Sequence, residues 1–493
     1  MLHSGYIPYP ATGYSSGDAS WQLTAATLVG LMSLPGLAVL YGGLVQKKWA
    51  VNTMLMAFSA FSIVLVVWAL WGFNMGFGEP LLKTTVNGAA SGFVGKPSTS
   101  LGVGQEAQAN IPLLDGLMPP FNFSQSALFY FQFVFAAITP LLWLGSVLGR
   151  MSFKAWLVIV PLWTTVVYCV DAFMLWGGGF WAGKGAVDYS GGYVIHLSAG
   201  TAGFVAAAVI GPRLKKDRDH GVPNNLLLCA TGAGILWLGW NGFNGGDPYF
   251  AGPDAAAAVV NTNICTAIAL LTWLLMDMWF SKAKKPTLLG GINGMIVGLV
   301  TITPAAGYVN GGGAIALGVI TSAVVWVAWY KLSKVWIFAK VDDALGVVYT
   351  HGIAGLLGGL LVGIFADPNM TVYYGAKGTS NFGVTGLLYG NHSFHQLFMQ
   401  AGAALTVIVW TALGTFVILK VVGLFIKLRL PDDVLETGDL AVHDEEVYPD
   451  QGLLAVGAAS ELASVSAAAA AEAEYESTPP VVTPESSGAV EAD

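Results

Sequence analysis

Apolar runs of about twenty residues recur along most of this chain, and that recurrence leaves few folds open. They fall at 21–44, 52–75, 124–148, 154–178, 193–213, 224–246, 254–280, 287–306, 311–331, 346–366 and 396–427. Each is long enough to cross a bilayer as a helix. Composition points the same way. The 493 residues are 55% hydrophobic and 10% charged, where a soluble domain carries about 25% charged residues. Such a chain cannot clothe a water-exposed surface, so its solvent is lipid over most of its length. The 63 glycines suit helices that approach closely in lipid. Many of the 17 tryptophans suit interfacial belts. The expected fold is an all-α polytopic membrane protein of about eleven transmembrane helices, the fifth and eighth short and glycine-rich.

Lys and Arg set the orientation. Lys47, Lys48, Arg150, Lys154, Arg213, Lys215, Lys216, Arg218, Lys282, Lys284 and Lys285 crowd into one set of alternate loops, joined by Lys331, Lys334, Lys340, Lys420, Lys427 and Arg429. The other set holds only Lys83, Lys96, Lys184 and Lys377. The positive-inside rule then places the N-terminus outside and the C-terminus inside, with an odd helix count. Residues 1–20 are polar and lack a basic n-region, so they are expected to be an extracellular N-terminus ahead of a retained helix rather than a signal peptide. Residues 21–427 form the transmembrane domain. The stretch 77–123 is an outer loop rich in Gly, Pro and Ser, and the sequons at Asn122, Asn369 and Asn391 all fall on the outer side. Residues 428–450 are acidic and polar, hence cytosolic. Residues 451–493 are a low-complexity Ala/Glu/Pro/Ser tail that cannot bury a core and is expected to be disordered. The net charge of −8 comes largely from these last segments. Cys169, Cys229 and Cys265 lie in apolar runs and offer neither a disulfide framework nor a CxxC spacing.

An internal repeat is visible. GLAVLYGGL (36–44) and GWNGFNGGD (239–247) pair the first helix with the sixth, while YVIHLSAG (193–200) and VVYTHGIAG (347–355) pair the fifth with the tenth. A unit of five helices crosses an odd number of times, so its second copy runs inverted through the membrane. The fold class is thus two inverted five-helix repeats plus a final helix, with the site expected near the midplane where they meet.

His196 and His351 occupy matching places in that repeat. A histidine inside an apolar span faces the protein interior or a cavity. A core histidine satisfied by Ser or backbone is the plainer alternative, and the pairing argues against it. With no Cys, Asp or Glu beside them in their helices, the two imidazoles make a poor zinc site. A neutral ring donates from one nitrogen and accepts at the other, so the pair could line a narrow path or relay a proton. Asp188, eight residues before His196, could cap the helix or hold a cation by its field. Asp171 and Asp277 also fall within spans and have no assigned role. Trp176, Phe135 and Phe243 fall near outer helix ends, where aromatic faces attract a desolvating cation.

PGLAVLYGGLVQKK (35–48), FQFVFAAIT (131–139), WGGG (176–179), DYSGGYVIHLSAG (188–200), GWNGFNGG (239–246), TPAAGYV (303–309) and VDDALGVVYTHGIAGLLGG (341–359) resemble the ammonium transporter family (Amt/Mep/Rh). The likeness runs from residue 21 to about 448 and is greatest to the second plant subfamily. The resemblance implies a homotrimer of eleven-helix subunits, each with its own pore or channel, in the plasma membrane. It implies that Trp176, Phe135, Gln132 and Asp188 build an outer recruitment site. Phe135 and Phe243 look like a stacked phenyl gate, and His196 and His351 match a twin-histidine pair in the pore. Where bacterial members place a hydroxyl residue, four positions after the second gate phenylalanine, this chain has Asp247. A vestibule-facing Asp247 would strengthen cation recruitment. ETGDLAVHDEEVY partly matches a cytosolic regulatory segment that a regulator could engage, but the threonine switch of the first plant subfamily is Ala441 here.

The implied function is high-affinity ammonium transport, with methylammonium as an analogue. It needs no enzyme chemistry, cofactor, metal or nucleic acid. A cation–π site with acceptors favours a tetrahedral N–H donor over potassium. Carrying the ion whole through a dry pore is costly, so deprotonation at the gate would let ammonia pass along the histidines. Two other classes compete. An ammonium sensor would be expected to lose part of the gate or one histidine. A general channel for water or urea would not need an aromatic cation site.

Overall fold

The computed structural model describes residues 13–448 except 116, 119, 220 and 371–382. Lys377 and the tail from 449 onward lie outside the described residues. Among those described, ten helices are long and apolar enough to cross a membrane, and an eleventh apolar helix is shorter. In chain order they are α1 (Ser16–Leu44), α2 (Lys47–Phe77), α3 (Gln125–Val147), α4 (Phe153–Lys184), α5 (Gly192–Ile210), α6 (Leu226–Gly245), α7 (Pro253–Phe280), α8 (Leu288–Ile302), α9 (Gly311–Lys334), α10 (Val348–Phe365) and α11 (His395–Gly423). Two short helices, α12 (Asp432–Thr437) and α13 (Asp439–His443), follow.

Local chemistry starts several of these helices. Ser15 accepts the Asp18 N–H, Asn225 those of Leu227 and Leu228, Thr287 that of Gly290 and Asn310 that of Gly313. Each satisfies N–H groups that a first turn leaves unpaired. The first helix begins at Ser16, so part of the stretch expected to be N-terminal tail is helical. α8 is shorter than the run 287–306 because Thr303 is followed by Pro304, which has no N–H to continue the ladder. The loop 77–123 is not wholly irregular. Thr84–Val86 and Ala89–Ser91 pair antiparallel around Asn87 and Gly88, both with positive φ. An Asn-Gly dipeptide is the sequence signal for that hairpin.

Large apolar side chains such as Phe58, Leu65, Leu275, Leu405 and Leu413 are exposed on the outer faces of α2, α7 and α11, as lipid requires. α3 lies within the bundle, with nearly every residue buried from Phe131 to Val147. α5 and α10 cross in contact. A Cβ on Gly200 would stand 2.2 Å from the Gly352 Cα, and one on Gly355 would stand 2.5 Å from the Gly192 carbonyl oxygen. Only a missing side chain allows backbones so close. α13 docks on the start of α2, where the Asp439 carboxylate accepts the Val51 and Asn52 N–H groups at 2.7 and 2.9 Å. Lys48 reaches the Leu435 carbonyl at 2.8 Å and Asp217 at 3.1 Å.

The crossing yields a test. Gly200→Ala should destabilise the fold by about 1–3 kcal/mol or more, since overpacking forces backbone shifts. Gly234→Ala, where a Cβ meets nothing within 4 Å, should leave the melting temperature in detergent unchanged. Equal melting of the two variants would show that the crossing is loose.

Candidate functional site

π-helical turns open α5 (Gly192–Leu197) and α10 (Val348–Ile353), and each carries a histidine. Such turns concentrate at functional sites. The two openings are built alike. Asp188 accepts the N–H groups of Gly191, Tyr193 and Val194 at 3.2, 2.9 and 2.9 Å. Asp343, eight residues before His351, accepts those of Val347 and Val348 at 3.1 and 2.8 Å. Gly191 and Gly346, five residues before each histidine, both have positive φ. The residues after each aspartate pair with a neighbouring helix end. Tyr189 and Ser190 donate to Pro304 and Thr303 after α8, and Ala344 and Leu345 donate to Ser146 and Gly145 in α3. Arg213 grips the adjacent Asp342 with both Nε and Nη2, at 2.9 and 2.7 Å. Burial would raise the Asp342 carboxyl, but the Arg213 guanidinium outweighs it and holds the group below its usual range.

His196 and His351 meet where the two helices cross. Their Nδ1 atoms are 3.2 Å apart, their ring centroids 5.3 Å apart, and both are buried. Two neutral rings can share such a contact only if one presents N–H and the other a bare nitrogen. The His196 ring lies flat against Trp240 at 5.3 Å, whose indole N–H is held by Thr303 at 2.9 Å. Beyond His196, at 6.0 Å, is Phe243. Phe243 stacks on Phe135 with centroids 4.2 Å apart, and both rings are fully buried. Trp176 meets Phe135 edge to face at 6.1 Å.

Cavities flank this column of rings. One, of about 680 Å³, is lined by Trp176, Asp188, Tyr189, Asp247, Tyr249, Tyr308 and Gln396 among others. The other, of about 470 Å³, is lined by Tyr41, Asn293, Asp343, Tyr349 and His351 among others. α6 runs from the second toward the first, contributing Leu236 to one and ending just before Asp247 in the other.

The residues read from the sequence therefore form one line: Trp176, Phe135, Phe243, His196, His351. Asp188 lies beside its start, but its carboxylate is occupied as a helix cap, the plainer of its two readings. Asp247 faces the same cavity and lies within hydrogen-bond reach of the Ser190 hydroxyl. Gln132 stands one layer back, donating to the Tyr249 hydroxyl at 2.6 Å, and Tyr249 faces the cavity. Asp171 and Asp277 are away from this line. Asp171 accepts from Thr411 at 3.0 Å, and Asp277 from the Trp326 indole at 2.8 Å and the Tyr330 hydroxyl at 3.3 Å. Of the sequons, Asn122 donates to Asp18 and Asn369 to Asp367, while Asn391 is exposed. Sequence reasoning missed Trp240, Tyr249 and Asp343. The Asp343 signal was available, because Asp188 and Asp343 precede their histidines by the same spacing.

An apolar helical bundle with cavities on both sides of a buried column of rings defines the class: a multi-pass membrane transport protein. A sequence model of the Ammonium Transporter Family matches residues 20–448. The chain is 48% identical over 445 residues to Ammonium transporter 3 member 2 of Oryza sativa subsp. japonica, covering 88% of this chain and 90% of that one. It is 46% identical over 444 residues to Ammonium transporter 2 of Arabidopsis thaliana, covering 90% of each. Among solved structures it is similar to Mep2 of Saccharomyces cerevisiae, with a TM-score of 0.71 at 28% identity, covering 85% of this chain and 91% of that one. It is also similar to a Sensor Amt Protein, with a TM-score of 0.70 at 25% identity, covering 85% of this chain and 96% of that one. The chain belongs to the ammonium transporter family, whose members transport rather than catalyse.

The matched caps predict matched effects. Asp188→Ala and Asp343→Ala should each cost about 1–2 kcal/mol, the usual loss for a helix cap, with Asn at either place costing less. Thermal unfolding in detergent reads this, and an Asp343→Ala protein as stable as the parent would remove its capping role.

Proposed function

We propose that this chain takes up ammonium with high affinity through the column of rings. Ammonium is drawn into the cavity that carries Trp176, Asp188 and Asp247, with Gln132 acting through Tyr249. It loses a proton at the Phe135–Phe243 gate and continues as ammonia past His196 and His351. The proton returns to water in the outer cavity or follows the imidazole pair. The carrying observation is the 3.2 Å imidazole contact sealed from the Trp176 cavity by two rings stacked at 4.2 Å. A cation desolvated against an indole gains about 2 kcal/mol or more, while the stretch beyond the stacked phenyl rings is built of aromatic rings and two imidazoles, where carrying a whole ion is costly.

On this reading α8 is also a crossing, giving eleven helices with the N-terminus outside and the C-terminus inside. α1–α5 and α6–α10 are inverted repeats, an arrangement supported by the like-built openings of α5 and α10. The protein is a homotrimer of the plasma membrane. The segment 428–450 is cytosolic and open to a regulator, residues 1–15 are extracellular, and 451–493 form a cytosolic tail. A sensing role is the second reading, favoured by the likeness to the solved sensor.

Expression in cells lacking ammonium uptake, with methylammonium uptake and membrane current recorded together, tests the proposal. Saturable uptake supports transport, and current in proportion to it means that net charge moves with the substrate. Binding without uptake would favour the sensor. Trp176→Leu should raise KM for methylammonium about tenfold or more, given the worth of a desolvated cation–π contact. Unchanged uptake kinetics would remove Trp176 from recruitment.

A further inference from the structure

The segment between α4 and α5, residues 185–191, has no regular secondary structure, yet it carries Asp188 and leads into the turn that holds His196. From Asp188 to Gly191 it is buried, with Val187 half-buried, and its peptide groups need partners. Tyr189 and Ser190 find them after α8, as described above. The stretch before Asp188 finds them on α11, in one side chain. The Gln400 amide pairs with the Val187 peptide as a neighbouring β-strand would. The Val187 N–H donates to Oε1 at 2.8 Å, and Nε2 donates to the Val187 carbonyl at 2.7 Å. The same Nε2 reaches the Gly359 carbonyl of α10 at 3.1 Å. Gln396, one turn earlier on α11, donates to Oε1 of Gln400 at 3.1 Å and to the Gly185 carbonyl at 3.0 Å. Gln400 is fully buried. Removing it leaves the N–H and carbonyl of the half-buried Val187 without these partners, a cost that falls on groups largely shielded from water.

The neighbouring peptide matters to the site. The Asp188 carbonyl accepts the Trp176 indole N–H at 2.7 Å. One residue therefore separates the peptide that Gln400 grips from the carbonyl that orients the indole. We infer that Gln400 is a positioning residue for ammonium recruitment, fixing Trp176 through Val187 and Asp188 without touching the substrate. This rests on the recruitment reading of Trp176.

The test uses the full-length protein in cells lacking ammonium uptake, with methylammonium kinetics normalised to transporter at the cell surface. Gln400→Met keeps an unbranched stem of similar volume and removes the peptide-like pairing. KM should rise about three- to tenfold with Vmax retained, the pattern of lost binding rather than lost conduction. In a Trp176→Leu background the same change should leave KM where Trp176→Leu alone puts it, because coupled residues are not additive. If Gln400→Met does not reach the surface, Gln400→Asn keeps the amide, shortens its reach to Val187 and should give a rise of the same kind. An unchanged KM in a surface-expressed variant, an equal fall in Vmax without a KM change, or KM effects that simply multiply would each overturn the inference. Were Trp176→Leu itself to leave KM unchanged, the recruitment reading would fall, and this inference with it; a KM raised by Trp176→Leu but not by Gln400→Met would sink the positioning role alone.

Discussion

The contact between α5 and α10 organises the rest of the molecule. Two helices in lipid gain nothing from hydrophobic exclusion against one another, so they associate through close packing and hydrogen bonds. Gly200 and Gly352 let the backbones touch. The π-helical turns at the same level turn His196 and His351 toward each other rather than toward lipid. The 3.2 Å imidazole contact follows from that geometry. A bulkier residue at the crossing would separate the rings and open the space between them. Everything above and below is arranged to keep this contact supported. Trp240 backs one ring, and a carboxylate caps the start of each helix.

The caps show how the chain manages acidic groups at depth. Asp188, Asp343 and Asp439 each accept two or more backbone N–H groups at a helix start. Those donors would otherwise be unpaired, and the helix N-terminus favours negative charge. Asp171 and Asp277 take hydroxyl or indole donors instead. The cavity beside Trp176 thus contains Asp188 as a cap and Asp247 beside Ser190, with tyrosines around them. Polar groups gather at the cavity and thin out at the stacked phenyl rings. That contrast is the physical basis for proposing that charge is handled in the cavity and a neutral molecule beyond the gate.

Much of this was legible in the sequence because lipid imposes simple rules. Apolar length located most helices to within a few residues; Thr303-Pro304 cut α8 short, Ser15 started α1 early, α2 begins at Lys47 ahead of its run and α4 continues to Lys184 past its run. The repeat and the two histidines were visible because matched positions carry matched residues. Trp176, Phe135 and Phe243 could be named from local pattern and likeness, and the structure brings them into one column. What the sequence hid depends on tertiary reach. Tyr249 and Trp240 look like ordinary aromatics until their neighbours are known. Gln400 lies more than two hundred residues from the peptide it grips, and no spacing rule connects them. The dual character of Asp188, a cap that also faces the cavity, could be posed from sequence and not decided.

The most direct measurement is flux through purified protein reconstituted in liposomes, following lumen pH as an ammonium gradient is applied, for the parent and for His196→Ala/His351→Ala. The account predicts saturable, potassium-resistant flux in the parent and loss of selective flux in the double variant. Parent-like ammonium flux with intact potassium rejection in the double variant would contradict it.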